Sequence, residues 1–310
     1  MTLPADGPVS RALWRGLVAA GRVTGPRPAR KVAALAMRAA ARTGEGWTTG
    51  VHRVASRDTG ADLVKPPPGW WTASPLVRAR RLGLTWELDL RDNLERVLWC
   101  TGTYEPALLS FLAAELRAGD VVADIGAHIG VHSLTAAARL RALGGGRVLA
   151  FEPARDSADR LRAGAAANGL DGLVTVAETA LGAGPAVAAL AADAVYDDAD
   201  AGVRSLHGTG RVVQEVPVTT FDAWAEGAGL DRLDVVKLDV EGAELDVLGG
   251  MRATLTRLRP RVLVAEVKQR VLDRAGMDAG ELRDVLAGAG YTPSGAAFDA
   301  NEVFLTAQSR

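Results

Sequence analysis

A chain of 310 residues is long enough for one large domain with an extension, because single cores rarely grow much beyond about 250–300 residues. The formal net charge of −1 gives the whole molecule no electrostatic reason to bind nucleic acid or an anionic membrane. Because Cys100 is the single cysteine, the sequence excludes an intramolecular disulfide and a cysteine-based zinc cluster.

Targeting signals are not evident. No apolar run approaches the ~20 residues that span a bilayer. The basic N-terminus also lacks the uninterrupted apolar stretch of a secretory signal. These features predict a cytoplasmic protein without a membrane span.

Residues 1–64 predict a basic helical extension in front of the main domain. No acidic residue falls between Asp6 and Glu45, and two short amphipathic patterns lie on either side of the Gly-Pro-Arg-Pro stretch at 25–28. These helices could pack on the main domain or join two copies as a homodimer, with their arginines facing solvent. Alternatively, they could form a surface for an acidic partner, such as a carrier protein or anionic lipid headgroups.

Three prolines at 66–68 indicate a boundary near residue 65, so we predict the main domain over residues 65–310. Alternating polarity predicts a hairpin over 77–81 and 85–90. A helix is predicted over 105–116, leading into a core sheet.

From residue 121 onward, strand and helix patterns alternate, which is typical of a doubly wound, Rossmann-like α/β domain. We therefore predict a mostly parallel sheet with helices on both faces. The predicted strands lie at 121–124, 147–151, 173–177, 233–239, 262–267 and 302–306. The predicted helices lie at 129–142, 155–167, 243–257 and 278–289.

The stretch 182–215 interrupts this alternation and is interpreted as a surface insertion, with an antiparallel strand at 212–218. It carries four acids that either bind a metal or form a solvated loop. These acids are Asp193, Asp197, Asp198 and Asp200.

The first predicted strand runs into the helix through the sequence Val121-Val-Ala-Asp124-Ile-Gly126-Ala-His128-Ile-Gly130. Gly126 permits a tight turn and the approach of a ligand, and the helix start presents free N–H groups. The pattern predicts a nucleotide-type cofactor site, although a Gly-rich turn can also serve packing alone.

The second strand ends at Glu152 and Pro153, and a carboxylate in this place can accept both hydroxyls of a ribose. The spacing from Asp124 to Gly130 is D-x-G-x-x-x-G, so it lacks the third glycine that packs against a dinucleotide pyrophosphate. Adenosylmethionine has no phosphate and suits this turn better.

A third cluster, Lys237-Leu-Asp239-Val-Glu241-Gly-Ala-Glu244, ends the fourth strand of the core. In a doubly wound sheet this strand end lies beside the first strand, where ligands bind. Lys and Asp are costly to bury unless they are paired or used, so the cluster indicates either a functional site or a structural ion pair.

These three motifs resemble the FkbM methyltransferase family, together with Gly102-Thr-Tyr104-Glu105-Pro106 and Pro217-Val-Thr-Thr-Phe-Asp222. The resemblance covers about residues 98–268 and leaves residues 1–64 outside. It implies a seven-stranded methyltransferase sheet, S-adenosylmethionine as cofactor, and O-methylation of a small molecule such as a natural product or a sugar. The chain departs from the family in His128, where Asn is frequent, and in Phe221, where Leu is frequent.

Methyl transfer to a hydroxyl needs a group that positions the acceptor and takes its proton. We predict Asp239 in this role, Glu241 as its partner, Lys237 as the charge that keeps Asp239 ionised, and Glu266 in the acceptor pocket. The predicted cofactor residues are Asp124, Gly126, Ala127, His128 and Gly130 at the methionine end, Glu152 and Pro153 at the ribose, Glu178 and Thr179 near the adenine, and Tyr104 as a cover.

Five alternatives accompany this interpretation. His132, one turn after His128, could ligate a metal but more simply contacts the cofactor or packs; His207 could act as a substrate-side base. Nitrogen acceptors would use similar carboxylates. A nicotinamide-dependent oxidoreductase or a binding module would keep the fold, but the former needs a phosphate-binding glycine pattern and the latter need not keep acids at strand ends.

Overall fold

The computed structural model describes residues 76–89, 91–192, 204–208, 210–268, 272, 276, 278–298 and 300–306. The predicted N-terminal extension, the proline boundary and the four aspartates of the insertion lie outside the described residues. The described chain divides into two compact units, residues 76–104 and residues from 105 onward.

The first unit is a hairpin followed by a helix. Strands β1 (Leu76–Arg81) and β2 (Leu84–Asp89) pair antiparallel, as predicted, with Arg81 opposite Leu84. Leu82 and Gly83 form the turn, and both have positive φ, which matches the twist of a two-residue hairpin. Helix α1 (Asn93–Thr101) was missed by the sequence patterns. It begins at Asp92, whose side chain accepts a hydrogen bond from the backbone N–H of Glu95.

The second unit contains a seven-stranded mixed sheet covered by helices, which confirms the predicted α/β class. In chain order its elements are α2 (Pro106–Glu115), β3 (Val121–Ile125), α3 (Val131–Leu143), β4 (Arg147–Phe151), α4 (Arg155–Ala167), β5 (Val174–Ala177), β6 (Ala180–Leu181), β7 (Ala186–Ala192), β8 (Arg204–Ser205), β9 (Val212–Thr219), α5 (Phe221–Gly227), β10 (Val235–Leu238), α6 (Glu244–Gly249), α7 (Arg252–Leu258), β11 (Val262–Glu266), α8 (Ala279–Gly288), β12 (Tyr291–Phe298) and β13 (Asn301–Thr306).

The strand order in the large sheet is β12-β13-β11-β10-β3-β4-β5. The strands from β11 to β5 pair in parallel, and β13 pairs antiparallel with both β11 and β12. Strands β3, β10 and β11 are buried along their whole length, which explains their continuous apolar runs. Strand β10 lies between β3 and β11, so the ends of these three strands meet at one edge of the sheet.

The helix predicted over 243–257 is broken into α6 and α7. The break lies at Gly250, where an added Cβ would come within 2.0 Å of the carbonyl oxygen of Gly182. Close packing against a loop beside β6 therefore ends the first helix, and periodicity alone could not show this.

A second, four-stranded sheet with the order β6-β9-β7-β8 fills the predicted insertion. The antiparallel strand predicted near 212–218 is confirmed as β9. Its partner β7 was missed, because its Ala-rich sequence lacks the Val, Ile and aromatic residues typical of strands. The large sheet ends at β12, which pairs with β13 and which the sequence patterns did not predict.

Candidate active site

The candidate site lies at the carboxyl ends of β3, β10 and β11. Asp124 stands on β3 directly beside Lys237 on β10. Leu238 pairs with Ala265 on β11, so the next residues along, Asp239 and Glu266, follow side by side. The structure therefore brings together the acids that the sequence placed at separate strand ends.

Lys237 is buried and is surrounded by carboxylates. Its Nζ lies 3.1 Å from Asp239 Oδ2 and 3.6 Å from Asp124 Oδ1. Burial by itself would lower the pKa of Lys237, but the negative charges of Asp239 and Asp124 outweigh burial and raise it. Lys237 is therefore a permanent cation that joins the ends of β3 and β10.

Asp124 is 1% exposed and is only partly satisfied. Ser133 at the start of α3 donates its hydroxyl to Asp124 Oδ2 over 2.6 Å. The other oxygen, Oδ1, accepts no hydrogen bond from any residue that the structure describes. A buried carboxylate oxygen in this state can accept a hydrogen bond from a cationic ligand group.

The glycine turn that follows Asp124 is fixed by contacts within the protein. Gly126 has φ of +83°, and an added Cβ would lie 1.8 Å from the carbonyl oxygen of Asp239. Gly130 has φ of +86°, and its added Cβ would lie 2.7 Å from Leu161. Both glycines are needed because the turn packs against the loop after β10 and against α4, and this packing accounts for them without a ligand.

Glu152 fastens the turn to the end of β4. Its two carboxylate oxygens accept hydrogen bonds from the backbone N–H groups of His128 and Ala154, each over 2.8 Å. His128 adopts φ of +50°, a left-handed conformation that is uncommon for a residue with a side chain. Burial raises the pKa of Glu152, although the electrostatic interaction with His128 and these hydrogen bonds act in the opposite direction.

The loop after β10, residues 239–242, is held in a strained conformation. Glu241 has φ of +54°. The carboxylate of Glu244 accepts hydrogen bonds from the backbone N–H groups of Val240 (3.0 Å) and Gly242 (3.1 Å). Ser205 on β8 donates its hydroxyl to the carbonyl of Glu241 over 2.7 Å. Burial raises the pKa of Glu244 to about 7, against the lowering effect of these hydrogen bonds.

Three carboxylates converge beside this loop and form what we call the acid cluster: Asp239, Glu241 and Glu266. One oxygen from each lies within 4.8 Å of the others. Lys268, which the sequence patterns did not single out, forms an ion pair with Glu266 and lies 3.5 Å from Glu241 Oε1. Its only sequence signal is a cation two residues after a buried strand.

The acid cluster separates the pKa values of its members. Burial and the nearby negative charge of Asp239 raise the pKa of Glu266 well above its ordinary value. Burial would also raise the pKa of Asp239, but Lys237 and Lys268 outweigh burial and lower it. Asp239 is therefore fixed as an anion, whereas Glu266 binds protons more readily.

Residues 124–293 match the family model described as the methyltransferase FkbM domain, which is more than half of the chain. The chain belongs to the FkbM methyltransferase family. The resemblance drawn from the strand-end motifs is thereby confirmed.

Matches to individual proteins of known name are partial. A stretch of 44 residues is 43% identical to the 2-O-methyltransferase NoeI of Sinorhizobium fredii and covers 14% of this chain and 18% of NoeI. The FkbM methyltransferase structure from Methylobacillus flagellatus matches with a TM-score of 0.42 and 17% identity, over 69% of this chain and 54% of that one. The O-methyltransferase from Bacillus cereus, solved with SAH, matches with a TM-score of 0.41 and 12% identity, over 65% and 81%. The chain thus spans 18% of NoeI and about half of the Methylobacillus protein.

Other residues predicted for this FkbM-family site have partners of their own. Glu178 accepts hydrogen bonds from Arg155 (2.9 Å) and Arg162 (3.2 Å), and the bond from Arg155 is the main reason that its pKa is lowered. Thr179 donates its hydroxyl to the carbonyl of Pro217 over 3.0 Å. Their roles near an adenine stay predictions.

Two further histidines, His132 and His207, each lie close to a carboxylate in the second unit. His132 Nε2 lies 3.1 Å from Glu105 Oε2, which favours a packing role over a metal site with His128. His207 Nε2 lies 3.3 Å from Asp246 Oδ2 on α6. Tyr104 belongs to the first unit, and its role as a cover of the site stays a prediction.

Among the described residues, no helix has both the length and the apolar character that crossing a membrane requires.

Proposed function

We propose that this FkbM-family methyltransferase transfers a methyl group from S-adenosylmethionine to a hydroxyl of a small molecule such as a sugar or a natural product. The observation that carries the proposal is the chain of Asp124, Lys237 and Asp239 across β3 and β10, with the acid cluster at its end. The short match to a 2-O-methyltransferase supports a hydroxyl as acceptor.

The residues present fit the methyl donor. Asp124 Oδ1, buried and without a hydrogen bond from any described residue, suits the ammonium group of the methionine end. Glu152 is oriented by two backbone N–H groups, and its oxygens retain lone pairs for the ribose hydroxyls. When bound, S-adenosylmethionine supplies a methyl group on a positively charged sulfur.

The acceptor side is assigned to the acid cluster. Asp239 is a weak proton acceptor, because its lowered pKa keeps it ionised, and it suits the positioning of an acceptor hydroxyl. Glu266 is the better general base, since its raised pKa makes it the stronger proton acceptor of the two and its oxygen shares the cluster with Asp239. Lys237 keeps Asp239 anionic, and Glu241 extends the cluster toward the acceptor.

Calorimetric titration with S-adenosylmethionine, S-adenosylhomocysteine and NADH tests the cofactor side. We expect saturable binding of both adenosyl ligands. Asp124→Ala removes the carboxylate that accepts a hydrogen bond from the ligand's ammonium group. The affinity for both adenosyl ligands should then fall by about 10- to 100-fold, the size of a charged hydrogen bond. The matched control is Asp222→Ala, an acid that instead accepts from the N–H groups of Ala253 and Thr254 at α7.

Two outcomes would contradict the proposal. A preference for NADH would favour the oxidoreductase alternative. Equal weakening by Asp124→Ala and Asp222→Ala would remove Asp124 from the cofactor site.

On the acceptor side, Glu266→Gln should lower kcat and leave binding of S-adenosylhomocysteine intact.

A further inference from the structure

A polar cavity lies at the edge of the large sheet opposite to the candidate active site. It has a volume of about 320 Å³ and is lined by residues that precede β3, β10 and β11. These strands are parallel, so their amino ends lie at the edge away from Asp124 and Asp239. We call it the arginine cavity, after the five arginines that line it: Arg117, Arg232, Arg257, Arg259 and Arg261.

Two of the arginines serve the fold. Arg261 is buried and binds Asp120 through two contacts, of 2.6 Å and 3.1 Å, and Asp120 is fully buried. Arg232 Nε donates to Asp234 Oδ2 over 2.7 Å. The carboxylates at the rear of the cavity are therefore already neutralised by charged partners.

The remaining three arginines, Arg117, Arg257 and Arg259, are exposed. Arg257 donates to the backbone carbonyl of Leu230, a contact that leaves its charge uncompensated. Within the described part of the chain, Arg117 and Arg259 have no ion-pair partner. Three of the residues that line the cavity are aspartates, so it carries two positive charges in excess.

This combination selects the chemistry of a ligand. Eight of the ten residues that line the cavity are charged, so the cavity does not suit an apolar molecule. Guanidinium groups bind phosphate oxygens through paired N–H donors, which matches an anion with several oxygens better than a single carboxylate. The volume lies at the lower end of the range for small-molecule sites, which is about 300–1,000 Å³.

We propose that the arginine cavity binds a small phosphorylated ligand through a diphosphate-type group, at a site separate from the methyl-transfer site. Arg257, in the last turn of α7, and Arg259, directly after that helix, supply donors from one side. Arg117, before β3, supplies them from the other. The inference does not depend on the proposed function, because it uses no residue of the carboxyl edge.

Pyrophosphate is the probe, titrated into the full chain by calorimetry at low ionic strength. We expect saturable binding at one site. Arg257→Gln and Arg259→Gln should each weaken binding by about 5-fold or more, because each removes a charge-assisted contact. Both side chains are exposed, so the variants should fold normally. The matched control is Arg252→Gln, which removes an exposed arginine from the start of α7, outside the cavity lining, and should leave affinity unchanged.

Further arms of the experiment separate the possible ligands and sites. Adenosine diphosphate should bind at least as tightly as pyrophosphate if the ligand is a nucleotide, and inorganic phosphate should bind more weakly than both. Saturating S-adenosylhomocysteine should leave pyrophosphate binding unchanged. The proposal is wrong if binding does not saturate, if Arg252→Gln weakens it as much as Arg259→Gln does, or if S-adenosylhomocysteine competes with pyrophosphate.

Discussion

At the scale of single residues, Lys237 determines the electrostatics of the site. It is the cation between Asp124 and Asp239; Lys237 and Asp124 are buried, and Asp239 is partly exposed. Replacement by Met would leave two facing carboxylates without a countercharge. The two carboxylates would then repel each other, and the native state would lose stability.

We therefore expect Lys237→Met to lower the free energy of unfolding by about 3–5 kcal/mol at pH 7, the typical cost of breaking a buried ion pair. Urea unfolding measures the loss. Asp239→Asn added to Lys237→Met removes one of the orphaned charges and should restore part of the stability. If the double variant were less stable than the single one, Lys237 would not act as the countercharge of Asp239.

Glu244 gives the stability a defined pH dependence. Its pKa in the folded protein is about 7, above the ordinary value of 4.5. A raised pKa stabilises the fold below pH 4.5 and loses that contribution as the pH rises through 7, by up to about 3 kcal/mol. Glu244→Gln should flatten the fall in stability between pH 5 and 8 in urea unfolding. An unchanged slope would place the titration elsewhere.

Gly126 tests the packing of the turn after β3. A methyl group there would meet the carbonyl of Asp239 at 1.8 Å in a left-handed backbone. We expect Gly126→Ala to lower the free energy of unfolding by about 2–4 kcal/mol, since backbone must move. Gly184→Ala is the matched control, because nothing lies within 4 Å of its added Cβ. Equal melting temperatures for the two variants would contradict the close approach.

At the scale of elements, β8 braces the loop that carries Glu241. Ser205 is 4% exposed and donates to the carbonyl of this strained residue, so the insertion sheet and the site share one contact. Ser205→Ala should loosen residues 239–242 and raise their amide exchange about 5-fold, as expected from the loss of about 1 kcal/mol. Ser205→Thr retains the hydroxyl and should not. Unchanged exchange in Ser205→Ala would mean that Glu244 alone holds the loop.

The sequence patterns predicted the candidate-site residues that stand at the ends of strands. Asp124, Lys237 and Asp239 end apolar runs, and adjacent parallel strands bring such residues together. Ser205 and Lys268 could not be found in this way. Ser205 reaches Glu241 across 36 positions of chain, and Lys268 resembles any solvated lysine until the position of Glu266 is known. The break at Gly250 escaped for the same reason, because it arises from a contact with a distant loop.

At the scale of the whole molecule, a net charge of −1 conceals two opposite fields. The edge with the candidate active site has four carboxylates, Asp124, Asp239, Glu241 and Glu266, around the cations Lys237 and Lys268. The opposite edge has the surplus of arginine. A cationic ligand is therefore attracted to one edge of the sheet and an anionic ligand to the other.

Salt should separate the two adenosyl ligands on this basis. S-adenosylmethionine carries a positive sulfur that S-adenosylhomocysteine lacks, so screening weakens only its additional attraction. We expect the dissociation constant of S-adenosylmethionine, divided by that of S-adenosylhomocysteine, to rise by about 2- to 3-fold between low salt and 0.5 M salt in calorimetry. This change corresponds to a few tenths of a kcal/mol. A constant ratio would show that the acid excess does not act on the ligand.

The position of β13 has a consequence for how the chain is made. This strand follows β11 and β12 in sequence, yet it lies between them in the sheet. Until β13 pairs with them, β11 has one open edge and β12 has no neighbour. An open apolar edge is a template for association with other chains. Production at lower temperature or with more chaperone should therefore raise the soluble yield, because the folding chain exposes this edge until β13 pairs with it.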